Sequence, residues 1–419
     1  MQLNCGIIVL VTLFSINMQA SSDSSAEPVL RQLHVVFRHG DRMPEQFPTR
    51  FPNDPNMRVK FEYPGSGELT NEGKMRMYRL GEHLRSKYSN FLGNVYDEKK
   101  LHGVSSNMLR TKMSLQLVQT ALFPPLKTKQ EWHPSLNWQP IPAYFLEYKQ
   151  NRLFGADKCE KSVNELARVM NLDEVQKKIS EHSSFMEEVR VKIGKDGPLN
   201  FDDLLLLHNN LDIENRMNMT MEPWMSSLLK DERLKKLRLL YYEIGTFTDL
   251  LRRFLAGFLL RQITEEMQEA SNGTSGYVGK TLLYSGHDKN LIALLQALDV
   301  WDLHFPEFGS AVILELWSQG EEYFVKVLYY SGIPEEFKDY TEEFCCSKTC
   351  PLDRFLMLTK KKLILDSEKN CEIKGNSYFE ETTDDKKKTI ETDCEILSKK
   401  SEGKKFAQEV DPIEQCKQA

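Results

Sequence analysis

No apolar run of 18 residues occurs beyond the N-terminus of this 419-residue chain. Nothing there is long enough to form a transmembrane helix, so no membrane anchor is expected. Neither sign of charge dominates: 55 Lys and Arg stand against 61 Asp and Glu, a net of −6. That excludes a general nucleic-acid or anionic-membrane surface, though not a local basic pocket. No His follows His304, which leaves the C-terminal cysteines without the partners a zinc site wants. No internal repeat divides the chain. What is present suffices for a sizeable core: 40% apolar and 10% aromatic residues rule out wholesale disorder.

Cys5–Phe14 (CGIIVLVTLF) is an apolar run too short to span a membrane but suited to a signal peptide, although no Lys or Arg precedes it. A leader over residues 1–20, cleaved near Ala20, is expected. Of eight cysteines, Cys5 leaves with the leader. The rest are 159, 345, 346, 350, 371, 394 and 416, an odd number, which implies a free thiol or an intermolecular bridge. The stretch Cys346-Ser-Lys-Thr-Cys350 suits a small closed loop. Asn218-Met-Thr220 and Asn272-Gly-Thr274 are glycan acceptor sequences. Together these read as a secreted, disulfide-bonded glycoprotein, with a lysosomal destination as the second option.

The length fits two to three domains, or one large α/β unit with insertions. Residues 32–37 (QLHVVF), 101–106 and 280–285 read as buried strands. A Pro-rich loop (Pro44 to Pro64) leads to a helix capped by Thr70 or Asn71, with Met77, Leu80, Leu84 and Tyr88 at helical spacing. Residues 109–122 form a helix ending before Pro124-Pro125, and another runs from about Asn290 to Leu298. Residues 310–317 and 322–330 signal a hairpin. Residues 160–270 are mostly helical, and the tail from 366 is dense in charge. The alternation predicts an α/β fold with an α-helical insertion.

Arg38-His39-Gly40-Asp41-Arg42 follows an apolar strand directly. Open α/β sheets place ligands at the carboxyl ends of parallel strands. Two arginines around a histidine are costly to bring together unless an anion neutralises them, and guanidinium forks match phosphate oxygens. Ser285-Gly286-His287-Asp288 follows another apolar strand, and Arg110 opens the helix after a third. The combination predicts a phosphate pocket with an imidazole nucleophile and a carboxyl proton donor.

These segments resemble the histidine acid phosphatases, nearer their insect venom branch than their prostatic one. The resemblance covers roughly residues 30–371. It rests on VVFRHGDR (35–42), GELTNEGKMRMYRLG (67–81), LRTKMSLQLV (109–118), ALFPP (121–125), LNWQPIP (136–142), LLYSGHD (282–288), YFVKVLYY (323–330) and CPLDRF (350–355). It implies a central mostly parallel sheet flanked by helices, phosphoglycerate-mutase-like, with an inserted mainly helical subdomain. The catalytic domain would span 30–365, with its α/β core at 30–150 and 275–335 and its insertion at about 155–270. Residues 366–419 would be a charged extension.

The resemblance also implies roles. His39 would be the nucleophile and Asp288 the proton donor. Arg38, Arg42, Arg110 and His287 would hold the phosphate, with no metal or cofactor. Disulfides would join Cys159 to Cys371 and Cys346 to Cys350. The substrate would be a small phosphomonoester, and Trp138–Pro142 would lie in a homodimer interface. One departure stands beside the site: Lys289 and Asn290 replace two threonines usual in the vertebrate branch. With the charged tail and odd thiol, Lys289 supports an alternative reading, a secreted binding protein with little turnover.

Overall fold

The computed structural model describes residues 27–45, 51–274 and 280–373. The expected leader over 1–20, its cleavage near Ala20, and Cys394 and Cys416 lie outside these residues. The strands are β1 (Val29–Arg38), β2 (Leu101–Ser105), β3 (Tyr144–Phe145), β4 (Lys280–Gly286), β5 (Ala311–Gln319), β6 (Glu322–Tyr330), β7 (Phe337–Asp339) and β8 (Cys350–Pro351). They form one mixed sheet in the order β3-β2-β4-β1-β5-β6-β7, with β8 against β6. The β3-β2-β4-β1 half is parallel. From β1 through β5 and β6 to β7 the ladders are antiparallel.

β1 and β4 are central and buried on two faces, the polar Gln32, His34, Thr281 and Ser285 included. Leu33, Val35 and Phe37 of β1 pack under the helices Asn71–Lys87 and Leu109–Leu122, against Met77, Leu80, Leu115 and Val118. Val36 points the other way, into a core with Tyr284, Leu291, Leu294 and Ile263. The first of these helices starts where Thr70 Oγ1 accepts from the Gly73 amide, and Arg85 and Lys87 complement its C-terminal dipole. The β5–β6 hairpin pairs Gln319 with Glu322 across a two-residue turn, and Gly320 supplies the positive φ of 60°.

Between Arg152 and Ser271 the chain is helical. This insertion has its own core, including Leu204, Leu207, Leu211, Leu234 and Leu237, which Phe51 of the Pro-rich loop joins. Asn200 and Asp203 cap the helix Phe201–Arg216 reciprocally.

The compact unit runs to Ile373. Glu368 pairs with Arg253 at 2.6 Å, and Cys371 is bonded to Cys159. That disulfide is the one the resemblance implies, and it ties the start of the charged tail to the insertion. Cys350 is bonded to Cys345, not Cys346. Cys345 ends the helix Thr341–Cys345 facing the core, where Cys350 is also fully buried. Cys346 follows in a left-handed conformation at the exposed surface, and it takes part in a different disulfide.

Candidate active site

β1 and β4 lie side by side with Arg38 opposite Gly286. The next residue of each, His39 and His287, therefore leaves the sheet at the same carboxyl edge. Their rings meet edge to face, with centres 5.5 Å apart. His39 is buried and fixed from several sides. Its backbone N–H donates to Gly286 at 3.1 Å, and its carbonyl accepts from Gly309 at 3.2 Å. Nδ1 lies 2.8 Å from the Gly40 carbonyl, which can only accept, so the proton sits on Nδ1. The lone pair is then on Nε2, where Arg110 Nε donates at 3.2 Å.

The arginines expected from sequence surround this nitrogen. Arg38 is buried with Nη1 on the Pro306 carbonyl at 2.7 Å and its guanidinium 3.9 Å over the Phe308 ring. Its Nη2 is 3.4 Å from Asp288, while the buried Nε has no hydrogen-bond partner among the described residues. Arg42 and Arg110 approach the same Glu45 oxygen at 3.4 and 3.9 Å. A carboxylate thus lies between two arginines, where phosphate oxygens would compete for the same forks.

Burial, then Arg110, His287 and Arg38, hold the His39 imidazole well below its usual range. It is a neutral base in acid. Burial, then Arg110 and Lys289, push the His287 imidazole down as well, against the pull of Asp288. Burial pushes the Asp288 carboxyl up, but Arg38, Arg238 and His287 outweigh it, so the free site carries a carboxylate. A donor that permanently holds its own proton is not what this field provides.

All six sequence-identified residues (His39, Asp288, Arg38, Arg42, Arg110 and His287) meet at this edge. Sequence reading missed their supports. Ser106 Oγ lies 3.0 Å from His287 Nε2 and 2.8 Å from Thr111 Oγ1. Asp41 pairs with Arg76 at 2.5 Å rather than with its neighbour Arg42. Buried Arg238 of the insertion stacks 3.7 Å over Phe305 and donates to His208 Nδ1 at 3.0 Å. Inside regular helices, such residues look like ordinary solvated charges, and nothing in their spacing marks them.

Lys289 is paired with a carboxylate. Its Nζ meets both Asp157 oxygens at 2.9 and 2.7 Å. Asn290 accepts from the His287 amide at 3.0 Å and donates to Phe154 at 3.1 Å. That bond starts the helix at Asp288, two residues before the expected Asn290. A cavity of about 470 Å³ opens beside Arg42, between the sheet edge and the insertion, with Tyr63, Ile213, Met217 and Phe308 in its walls.

Histidines and arginines converging at the carboxyl edge of such a sheet define the histidine phosphatase class. Residues 29–330 match the histidine phosphatase superfamily (branch 2), and the chain belongs to it. The venom acid phosphatase of Apis mellifera is 35% identical over 82% of this chain and 88% of that one. Prostatic acid phosphatase of Bos taurus is 30% identical over 84% and 90% respectively. Lysosomal acid phosphatase of Homo sapiens is 28% identical over 82% and 80%. The chain is accordingly an acid phosphatase. Phytase structures from Klebsiella and Citrobacter braakii share the fold. Their TM-scores are 0.61 and 0.59 at 14% and 17% identity, over 81% and 80% of this chain and 97% and 98% of theirs.

Proposed function

We propose that the chain is a secreted, metal-independent acid phosphatase that hydrolyses phosphate monoesters through a phosphohistidine at His39. The observation that carries this reading is the His39 geometry: Nδ1–H on Gly40, and Nε2 bare but for Arg110. Nε2 attacks phosphorus and the ester P–O bond breaks. Asp288 gives a proton to the departing alkoxide. Water then attacks the phosphohistidine, Asp288 takes its proton, and inorganic phosphate leaves with His39 restored. Arg38, Arg42, Arg110 and His287 hold the equatorial oxygens, so positioning and fixed positive charge supply most of the rate.

Asp288 obtains its proton from the complex. A phosphate monoester monoanion brings one proton, with a second pKa near about 6. Its charge also offsets the arginine field that keeps Asp288 ionised. The pair therefore shares one proton in acid.

Secretion is supported by the disulfides and by the placement of Asn218 and Asn272 on exposed turns. Among the described residues, no helix is long and apolar enough to cross a membrane. Homodimer formation is supported by exposed aromatic side chains, Trp132 and Trp138 in the loop before β3 and Tyr144 and Phe145 on β3 at the end of the sheet. The binding-protein alternative rests on Lys289, the charged tail and the odd thiol, and of these the Lys289 ammonium is engaged by Asp157.

The test is hydrolysis of an aryl phosphate by the purified chain from pH 3 to 9, with EDTA and with His39→Ala in parallel. Acid activity that survives EDTA and is lost in the variant is expected. A folded wild-type protein without turnover refutes the reading.

A further inference from the structure

The cavity beside Arg42 has walls whose charge is cancelled. Its lining carries two arginines, Arg42 and Arg216, and two carboxylates, Asp41 and Glu72. Both carboxylates are engaged by Arg76, and Glu72 by Arg79 as well. Arg42 serves the phosphate site. Among the described lining residues, Arg216 is the cation left to face a leaving group. Its guanidinium lies 5.8 Å from the centre of the Phe308 ring, which Arg38 stacks upon at 3.9 Å. Arg216 thus stands one ring away from a phosphate-binding arginine.

That cation is held by two carboxylates. Arg216 Nε is 3.0 Å from Asp212, one turn back on its own helix, and Nη2 is 3.0 Å from Glu307. Glu307 comes from outside the insertion, in the loop whose Pro306 carbonyl fixes Arg38. Its backbone is set independently of its side chain, since its carbonyl accepts from the Ser310 amide and hydroxyl at 3.1 and 2.7 Å. The carboxylate is therefore not needed to hold that turn, and its contact is with Arg216. The rest of the wall near Arg216 is apolar, with Met43, Ile213 and Met217. A second anion on the leaving group would find a compensated cation and apolar surface, a poor exchange for its hydration.

We propose, resting on the phosphomonoesterase reading above, that Glu307 and Asp212 determine specificity. By holding Arg216 they reserve the cavity for uncharged leaving groups and turn away those with a second anionic group.

The experiment compares phenyl phosphate with 4-carboxyphenyl phosphate on the full chain. Intrinsic reactivity cancels when the ratio of kcat/KM values is compared between variants. Glu307→Gln should shift that ratio toward the carboxylated substrate by about fivefold, through KM, as expected for freeing one partly exposed charge. Asp212→Asn should shift it the same way and serves if the first variant folds poorly. Adding Arg216→Gln to Glu307→Gln should return the ratio to the wild-type value. A ratio unmoved in both single variants while phenyl phosphate is still turned over overturns the proposal. So does a shift that persists without Arg216. Absence of wild-type turnover on either substrate would instead overturn the phosphatase reading beneath it.

Discussion

His39 and His287 meet edge to face, with ring centres 5.5 Å apart, at the ends of two adjacent parallel strands. The pairing of Arg38 with Gly286 makes this contact unavoidable, because both chains leave the sheet one residue later. With its own Nδ1 proton committed to Gly40, His39 presents Nε2 to a bound phosphorus. A trapping experiment at acid pH should therefore find an acid-labile phosphoryl group on His39 and on Nε2. His287→Ala should cost roughly 10²- to 10³-fold in kcat, as for loss of one preorganised donor. Phosphate found on Nδ1, or on His287, would contradict the assignment.

The pH profile follows from the direction of the shifts. His39 is held neutral by burial, Arg110, His287 and Arg38, so acidifying through about pH 6.5 should not switch off the nucleophile. The falling limb should lie on the alkaline side, where the substrate loses its second proton near about pH 6 and ionised Asp288 cannot replace it. Asp288→Asn should slow alkyl phosphates by about 10²- to 10⁴-fold and good aryl leaving groups much less. Equal losses on both substrate types would remove Asp288 from the role of proton donor.

The glycine after His39 is packed against another glycine. A Cβ on Gly73 would sit 2.0 Å from the Asp41 carbonyl oxygen, and one on Gly40 would sit 2.3 Å from that of Gly73. Both clashes are with backbone, which cannot swing aside. Gly73→Ala should destabilise the protein by about 1–3 kcal/mol or more and lower activity, although it touches no substrate. Thermal unfolding beside kcat/KM checks this, and an unchanged Tm would show that the helix can retreat without cost.

Lys289 and Asn290 should behave oppositely. The Lys289 ammonium is 2.7 Å from Asp157, which compensates its charge, so Lys289→Ala should change kcat/KM by less than about threefold. Asn290 is buried and bridges the His287 amide to the Phe154 carbonyl. Asn290→Ala should cost about 1–3 kcal/mol of stability and loosen His287. Reversal of that order in a side-by-side assay would make Lys289 part of the pocket.

His34 is fully buried in β1, and burial pushes its imidazole down to about 3. The unfolded chain protonates near about pH 6.5, while the folded chain does not. Stability is therefore intact above about pH 6.5 and falls as the pH drops towards 3, by roughly 1.4 kcal/mol per unit. His34→Gln should narrow the difference in Tm between pH 7 and pH 4. A variant whose Tm falls with acid as steeply as the wild type would assign the loss to other groups.

The sequence by itself determined the five long strands, the helices beside them and the six residues at the sheet edge, but not the short strands β3, β7 and β8. Burial on both faces enriches β1 and β4 in apolar residues, and strand ends announce ligand sites. Arg38, His39, Arg42, His287 and Asp288 each follow such a run within a few residues, so local pattern finds them. Whatever depends on approach between distant segments was decided by tertiary structure. Cys350 takes Cys345 because the helix end turns that side chain inward and its neighbour outward. Asp41 takes Arg76, and Lys289 takes Asp157, because packing brings those charges nearer than their sequence neighbours. The ionisation of Asp288 was decided in the same way. It depends on Arg38 and His287 from neighbouring strands and on Arg238 from the insertion, and no spacing along the chain encodes their summed field.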